Sequence, residues 1–452
     1  MTSHLELIAV VLMAVGVLFL LLRVSEFPVL AAGLIAATPI FTIFLGNATP
    51  GFEFAGLNIY YEDIVTVVLM LQVLYRIPTL QRWKNAHFLY IMFGIFTAFV
   101  LYSILRGVQS FPIKKVIIET RMWLFPISTI YYFTSVRLTR KQLEKIGTVI
   151  EWASLALIVI TLIRYGLLAT GHLTSFSDTD SEDVHRPVPA GTAMFMASCA
   201  MYLWYRIVKG KASAIGKFAG AVLPFLVVLV QHRSVWSAFA VMLILAYVFG
   251  IEMRGKARNF VAICACGLVA LVLFAPNSGP VKSLSTSVAT TSGESSTYEW
   301  RQQGWRELLK PSYVGNTLNY TIGMPMGNGF WRRLTVGKDT YFTGVAPHNL
   351  FVMIILRCGG IGLIAFVGFM LVSLFRLILT KDLEYRVLAI ISMGVIVYWW
   401  AYVFDEPQGF FLALGIRLLI GLTDEPERIR DESILSLGEK SEQSAIAEPA
   451  IA

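Results

Sequence analysis

The sequence predicts an all-α, multi-pass membrane protein with about 12 to 13 transmembrane helices. Of its 452 residues, 56% are hydrophobic and only 15% are charged, and the mean hydropathy is +0.67, which a soluble domain does not tolerate at its surface. Apolar runs near the ~20 residues that span a bilayer recur along the chain. Because lipid offers no partner to backbone amides, such runs must be helices, and we expect no strands.

The predicted spans form one membrane domain, residues 1–423, interrupted by a large loop at 276–347. Residues 424–452 are charged and then rich in Ser, Glu and Ala, and because they cannot bury a core we expect a disordered cytoplasmic tail. The shortest spans are 61–75 and 409–422. The thirteen apolar segments are 5–22, 28–46, 61–75, 87–105, 115–134, 149–168, 189–208, 218–232, 234–251, 259–275, 348–375, 387–404 and 409–422.

The charges of the loops predict the orientation of these helices. One set of alternating loops carries eighteen Lys and Arg residues, and the other short loops carry five. Since basic loops stay in the cytoplasm, the first set is predicted to lie inside, and the acidic loops at 53–63 and 178–183 face out. The order of the helices then places the loop at 276–347 outside.

The net charge of +8 and the four cysteines exclude several functions. Most of the basic excess lies where membrane insertion places it, and no basic patch is interleaved with aromatic residues, so we expect no nucleic-acid partner. All four cysteines lie in apolar segments, and the loop at 276–347 has none. Disulfides and thiolate metal sites are therefore not expected.

The loop at 276–347 contains one predicted helix. Ser296 and Glu299 have the spacing of a capping box, so a short helix is expected to begin there. This helix either rests on the outer membrane surface and covers what lies beneath, or is a plain surface helix of a soluble cap. Trp300 and Trp305 within it have rings that can stack on sugars.

His348 is the candidate catalytic residue. It lies in Pro347-His348-Asn349, at the start of the predicted helix 348–375, which is about 42 Å long against a hydrocarbon layer of ~30 Å. Its first turns are therefore expected in a hydrated region. An imidazole with a pKa near 6.5 suits a base at neutral pH, and Asn349 offers a donor and an acceptor beside it. The alternative is a capping or interfacial histidine without a chemical role.

Two arginines near predicted outer helix ends are candidates for binding phosphate. Arg233 lies in the turn Gln231-His232-Arg233-Ser234, where His232 adds a donor, and Arg186 lies just ahead of the segment 189–208. The planar fork of arginine matches phosphate oxygens. Two alternatives stay open: Arg233 extends to lipid headgroups, and Arg186 pairs with the acidic residues at 178–183.

Two further arginines, Arg121 and Arg357, lie inside apolar segments, where a charge costs at least about 2.5 kcal/mol and normally faces a cavity or a partner. Arg121 is the third candidate for binding a diphosphate. Arg357 follows His348 by nine residues, which is half a rotation of a continuous helix, so the two are expected on opposite sides. Arg357 is a supporting candidate, together with Arg106 and Arg301, which are both toward the outer side.

One pattern raises the question of a metal. Asp178-Thr179-Asp180 spells the D-x-D pattern in which two carboxylates hold a divalent cation against a diphosphate. The triplet is short and lies in an acidic run at 177–183, so we favour a solvated loop over a metal site. No cofactor is expected.

One imidazole and several cations on the predicted outer side suit an anionic substrate that carries a diphosphate. No nucleotide-binding glycine loop accompanies them, so a lipid-linked diphosphate is a better match than a soluble nucleotide sugar. Over roughly residues 180–400 the chain resembles the superfamily of O-antigen ligases and O-antigen polymerases. The motifs that carry the resemblance are Gln231-His232-Arg233-Ser234, Gly327-Asn328-Gly329-Phe330, Pro347-His348-Asn349-Leu350-Phe351 and Cys358-Gly359-Gly360-Ile361-Gly362-Leu363.

The resemblance implies a helical fold similar to the C-type glycosyltransferases, in the bacterial inner membrane with a site facing the periplasm. It implies a glycan donor on undecaprenyl diphosphate, which Arg233 and Arg186 would bind while His348 activates the acceptor hydroxyl. The acceptor is a second glycan for a polymerase of O-antigen or exopolysaccharide, which we favour, or lipid A core for a ligase that completes lipopolysaccharide. A transporter or flippase of an anionic lipid-linked substrate is the alternative from another class.

Overall fold

A computed structural model confirms that the chain is mostly helical. The structure describes residues 25–45, 52–54, 57–76, 86–170, 186–255, 297–336, 339–404 and 407–423, together with a few isolated positions. The predicted segments at 5–22 and 259–275 lie almost wholly outside the described residues. So do the first part of the large loop, with the proposed cap residue Ser296, and the tail from 424.

The helices follow the predicted segments closely, often within two or three residues at each end. A 3-10 turn, Ile251–Met253, follows the helix that ends at Phe249. In chain order the helices are α1 Pro28–Leu45, α2 Tyr61–Tyr75, α3 His87–Ser110, α4 Ile113–Ser135, α5 Arg140–Ala169, α6 Ala190–Val208, α7 Ala214–Leu229, α8 Arg233–Phe249, α9 Thr297–Leu308, α10 Pro311–Val314, α11 Thr317–Ile322, α12 Leu350–Leu379, α13 Leu383–Trp399 and α14 Gln408–Ile420.

Length and composition support the membrane class. Helices α3, α5 and α12 are long and apolar enough to cross a bilayer, and α1, α7, α8 and α14 are shorter apolar helices. Large apolar side chains such as Leu105, Ile364 and Phe375 point out of the bundle and are more than half exposed, as expected for a surface that contacts lipid. The number of spans and their orientation stay predictions.

The expectation of no strands is wrong. Strands β1 Phe52–Phe54 and β2 Leu57–Ile59 form one antiparallel hairpin, and β3 Arg332–Val336 and β4 Asp339–Thr343 form another. Both hairpins lie in loops between the apolar runs. The argument from unpaired backbone amides applies only within lipid, so it says nothing about such loops.

Helix α12 is broken near its first turns. Gly359 has φ 68° and ψ −173°, which only glycine adopts readily. A side chain there would collide with the carbonyl of Thr321, and a side chain at Gly323 would collide with the carbonyl of Arg357. The end of α11 and Gly323 therefore pack directly onto the break. About 20 residues of α12 follow the break, or about 30 Å, which is one hydrocarbon layer.

Helices α8 and α13 run antiparallel and in contact. Arg386, near the start of α13, donates to the carbonyl of Phe249 at the end of α8 at 3.1 Å, and Gly394 lies against Met242 farther along. The same register brings Arg233, the first residue of α8, level with about residue 403, just beyond α13. We call this end of the bundle the histidine end, because the segment 400–404 also contacts His348.

An aromatic cluster packs beneath the segment 400–404. Phe404 packs edge-on against Trp123 of α4, Phe366 of α12 and Trp399 of α13, with ring centroids 5.1 to 5.9 Å apart. Phe96 of α3 packs against Trp123 and Phe366. Helices α3, α4, α12 and α13 thus pack together through this aromatic cluster, because aromatic pairs in this geometry bury large areas with defined orientation.

Candidate functional site

His348 lies in a bend between β4 and α12, outside the helix. Its φ of 48° is rare for a residue with a side chain and costs on the order of 1–3 kcal/mol, which the surroundings must supply. The indole of Trp305 donates to the carbonyl of Pro347 at 2.5 Å. Asn349 caps α12 through its side-chain oxygen and donates to the carbonyl of Trp400 at 2.9 Å. The bend is therefore fixed from both sides.

The imidazole of His348 lies among aromatic and cationic groups. Its ring packs edge-on against Tyr402 at 5.9 Å, and the guanidinium of Arg301 lies 5.2 Å from the centre of the same tyrosine ring. Arg301 also donates to the carbonyl of Ala401 at 3.1 Å. Burial, and then the positive charges of Arg301 and Arg332, lower the pKa of His348 to about 4. The ring is therefore neutral at pH 7 and able to accept a proton.

Arg332 is a cation of this site that the sequence did not reveal. It is buried at the start of β3 and donates to the carbonyls of Phe330 at 2.9 Å and Val345 at 2.6 Å, with Trp300 beside it. Gly304 of α9 leaves room for its guanidinium, since a side chain there would collide with it. Burial lowers the pKa of Arg332. Only the pairing of β3 with β4 brings this residue to the histidine bend.

Arg357 and Glu119 form a buried ion pair between α12 and α4. The carboxylate of Glu119 also accepts from the backbone N–H of Gly327 at 2.7 Å. Arg357 donates to the carbonyl of Gly329 at 2.8 Å, and the hydroxyl of Tyr313 donates to the same oxygen at 3.1 Å. The pair therefore clamps the turn at 327–330, one of the motifs that carry the resemblance. Two opposite charges in separate apolar segments were the available signal for it.

The prediction that Arg357 and His348 point to opposite sides assumed one continuous helix through both residues. That premise is wrong, because α12 begins only at Leu350 and His348 has a non-helical backbone, so the directions of the two side chains stay a prediction. The positive charge of Arg332 helps to lower the pKa of His348. Burial raises the pKa of Tyr313, and the positive charges of Arg357 and Arg332 partly offset that rise. A chain of neighbouring groups therefore connects the histidine bend with the buried ion pair.

The structure brings Arg186, His232 and Arg233 together. His232 is buried, and its Nε2–H donates to the carbonyl of Val188 at 2.8 Å. Burial and the charge of Arg186 lower the pKa of His232 to about 4, and Arg186 also acts electrostatically on Arg233. Gln231 just before them has φ 59°, so this turn is strained like the histidine bend. Two like charges held close together are stabilised when an anion binds to both.

These two groups of residues lie at the same end of the bundle. The antiparallel register of α8 and α13 places Arg233 at about the same level along the bundle as residue 403. The preceding residue in the chain, Tyr402, contacts both His348 and Arg301. The sequence could not show which arginines converge, because the convergence depends on helix pairing and on the hairpin β3–β4. The acidic run at 177–183, the alternative partner of Arg186, lies outside the described residues.

Two other predicted residues have partners of their own. Arg121 forms an ion pair with Asp63 at 3.0 Å, donates to the carbonyl of Asn58 and lies 5.0 Å from the ring centre of Tyr60, so it holds the hairpin β1–β2 against α4. Its role as a diphosphate ligand stays a prediction. Arg106 donates to the carbonyl of Gly323 at 2.7 Å and to the side-chain oxygen of Asn319 at 3.1 Å.

The helix predicted from residue 296 is present as α9, and it covers the site. Trp305 is buried, with its ring edge-on to Trp400 at 6.2 Å, so it packs the histidine bend instead of facing solvent. Trp300, which is partly buried, lies beside Arg332. The predicted use of these rings for stacking sugars therefore has no support from Trp305.

The predicted absence of a metal stays a prediction. Asp178 and Asp180 lie outside the described residues. In the parts of the chain that the structure describes, no three His, Cys, Asp or Glu side chains are grouped as metal ligands. Of the cysteines in those parts, Cys199 and Cys358 are buried free thiols.

Fold and site together define a mostly helical membrane protein with a neutral imidazole among arginines at one end of the bundle. No family model matches the sequence, and no curated protein is significantly similar to it. The geometry of this end and the motifs that run through it are therefore the indications of its function.

Proposed function

We propose that the chain is a glycosyltransferase that moves a glycan from undecaprenyl diphosphate to a second glycan at the outer face of the bacterial inner membrane. The observation that supports this most is the composition of the histidine end. There, a neutral His348 lies beside Arg301 and Arg332, level with the neighbouring Arg186 and Arg233. A base and several fixed cations are the two elements that transfer from a diphosphate requires.

In the proposed reaction, the acceptor hydroxyl oxygen forms a bond to C1 of the donor sugar as the bond from C1 to the diphosphate oxygen breaks. The electron pair of the broken bond leaves with undecaprenyl diphosphate. Arg186 and Arg233 are proposed to bind this group, and they stabilise the negative charge that grows on it in the transition state. The acceptor proton passes to a ring nitrogen of His348.

Because nearby cations contribute to the low pKa of His348, its strength as a base depends on whether the anionic donor is bound. In the absence of substrate, burial and the cations Arg301 and Arg332 keep the ring neutral but weakly basic. A bound diphosphate brings negative charge toward these cations and offsets their effect, so the pKa of His348 rises again. The imidazole therefore becomes a stronger base once the donor is in place. Without a donor, it stays uncharged.

The acceptor decides between polymerase and ligase, and a deletion strain distinguishes them. For the polymerase that we favour, the electrophoretic profile of surface glycans loses long chains but keeps single repeat units on the core. For a ligase, the core carries no glycan, and polymer accumulates on undecaprenyl diphosphate. An unchanged profile of surface O-antigen and of secreted polysaccharide would contradict both forms of the proposal.

A further inference from the structure

The geometry points to a second binding site, for the phosphate of an anionic phospholipid, at the opposite end of the bundle. We call this end of the bundle the lysine end. A cavity of about 390 Å³ opens there between the ends of several helices. Four basic side chains surround the cavity, together with one carboxylate. The residues that line it are Arg140, Tyr205, Lys209, Lys211, Lys381, Asp382 and Leu383.

The charges that face this cavity are mainly positive. Its one lining carboxylate, Asp382, is engaged as the cap of α13, where it accepts from a backbone N–H at 2.9 Å. Lys209 pairs with Glu252, and Lys211 pairs with Glu144. Both carboxylates are on side chains that are more than half exposed, and neither lines the cavity. An ammonium has three N–H donors, so each lysine keeps donors for a second anion.

The remaining cations add to this positive surface. Arg140 is ion-paired with the buried Glu384 at 2.6 Å, yet its side chain is still about one third exposed. Lys381 has no ion pair with any residue that the structure describes. One phosphate group in the cavity would therefore meet cations from the start of α5, the end of α6 and the connection between α12 and α13. Basic pockets of this kind between membrane helices bind lipid headgroups.

The position of the cavity favours a lipid over free phosphate. Leu371, Phe375 and Leu379 recur every four residues on α12 and are each more than 60% exposed, so they form an apolar stripe that faces lipid. The stripe ends two residues before Lys381, at the level where α12 gives way to α13. An acyl chain along this stripe would bring its phosphate to the cavity. By the charge of its loops this end is the predicted cytoplasmic one, where anionic lipids are attracted to basic residues.

Native mass spectrometry of the intact purified protein tests this site with phosphatidylglycerol and, in parallel, phosphatidylcholine. We expect saturable retention of phosphatidylglycerol and at least about tenfold weaker retention in the variant Lys209→Gln with Lys381→Gln, since each lysine near a lipid surface contributes on the order of 1 kcal/mol. The matched control is Lys141→Gln with Lys217→Gln, which removes the same charge from the same end but outside the cavity lining. It should bind like wild type.

Two further arms separate the possible outcomes. Lys209→Arg with Lys381→Arg should retain the lipid, which shows that loss in the Gln variant reflects charge and not misfolding. Inorganic phosphate alone should neither bind measurably nor displace the lipid at millimolar concentration, and if it does, the site takes free phosphate and the lipid assignment is overturned. Equal retention of both lipids, or undiminished retention of phosphatidylglycerol by the Gln variant, also overturns it. None of these outcomes depends on the proposed glycosyl transfer.

Discussion

The two ends of the bundle differ in how most of their basic residues are held. At the lysine end, four basic side chains pair with carboxylates, whereas Arg254 and Arg386 donate to backbone carbonyls. Arg206 binds Glu151 at 2.9 Å and Arg140 binds Glu384 at 2.6 Å, and two lysine pairs accompany them. Each carboxylate offsets the charge of its partner. Arg140 and the two lysines nevertheless line the cavity, where their remaining N–H donors face the proposed phosphate.

At the histidine end, several arginines are held by uncharged acceptors. Arg301 and Arg332 donate to backbone carbonyls and Arg106 donates to a carbonyl and a side-chain amide, and none of the three has an ion pair within the described parts of the chain. A carbonyl dipole fixes the position of a guanidinium without removing its net charge. The two paired arginines at the lysine end are thus offset by carboxylates, whereas these three at the histidine end keep their net positive charge.

The ion pairs of Arg357 with Glu119 and of Arg121 with Asp63 are exceptions on this side of the bundle. The first clamps the turn at 327–330, and the second holds the hairpin β1–β2. The contrast between the ends therefore makes a testable distinction. Arginines held by carbonyls at the histidine end should matter for transfer, and arginines paired with carboxylates should matter for structure.

The largest effect is expected from His348→Gln, which keeps a polar side chain but removes the base. Glycosyl transfer should fall by roughly 10²- to 10⁴-fold, the usual contribution of a positioned general base, while the amount of folded protein in the membrane is unchanged. His87→Gln, at an exposed position at the start of α3, is the matched control and should transfer normally. Normal glycan chains from the His348 variant would remove His348 from the mechanism.

Arg233→Gln should have the next largest effect. Loss of charge-assisted hydrogen bonds to the diphosphate is expected to lower kcat/KM by roughly 10- to 150-fold, measured with a lipid-linked donor. Arg254→Gln is its control, because Arg254 follows the opposite end of the same helix, where it donates to backbone carbonyls at 2.8 and 3.1 Å. If both variants lose activity equally, the contrast between the two ends fails.

In the pH profile of transfer, the decline of kcat/KM on the acid side, the acid limb, should lie at lower pH than for an ordinary histidine. A histidine whose pKa is lowered stays neutral as pH falls through 6.5, so kcat/KM should hold from pH 7 to about 5 and decline only near pH 4. Arg301→Gln removes a cation that lowers this pKa, so it should move the acid limb to higher pH. His232 also has a pKa of about 4, but Arg301 is not among the groups that shift it. An unmoved limb in the Arg301 variant would assign the titration to another group.

Arg121→Gln should have the smallest effect. Because Asp63 cancels its charge, we expect less than about a fivefold change in kcat/KM and a loss of stability of at most about 1 kcal/mol, measured as a lowered Tm of the purified protein. A loss of transfer as large as that of Arg233→Gln would instead place Arg121 at the diphosphate, as the sequence predicts.

Helix positions were the most predictable part of the fold. Segment 115–134 was predicted and α4 runs from Ile113 to Ser135, because the length of an apolar run is set by the bilayer and the helix follows it directly. The helix α9 was also predicted, from its start signal. Both features depend on residues close together in the chain.

What the sequence could not show depends on contacts between distant residues. Arg332 reaches the histidine bend only through the hairpin β3–β4, which no apolar periodicity marks. Cys358-Gly359-Gly360 did carry a signal for the break in α12, but its high apolarity favoured a continuous helix. Opposite charges at positions 119 and 357, in separate apolar segments, were a signal for a buried ion pair, but only the placement of α4 beside α12 shows that these two residues pair.

The most direct test is glycosyl transfer by the purified protein in lipid vesicles, with a radiolabelled repeat unit on undecaprenyl diphosphate as both donor and acceptor. We predict longer lipid-linked glycans, detected by gel and by mass spectrometry of the new glycosidic bond, with release of undecaprenyl diphosphate. The His348→Gln protein should form this product roughly 10²- to 10⁴-fold more slowly. Movement of the labelled lipid between leaflets without any new glycosidic bond, either to a second repeat unit or to added lipid A core, would contradict the account and identify a transporter.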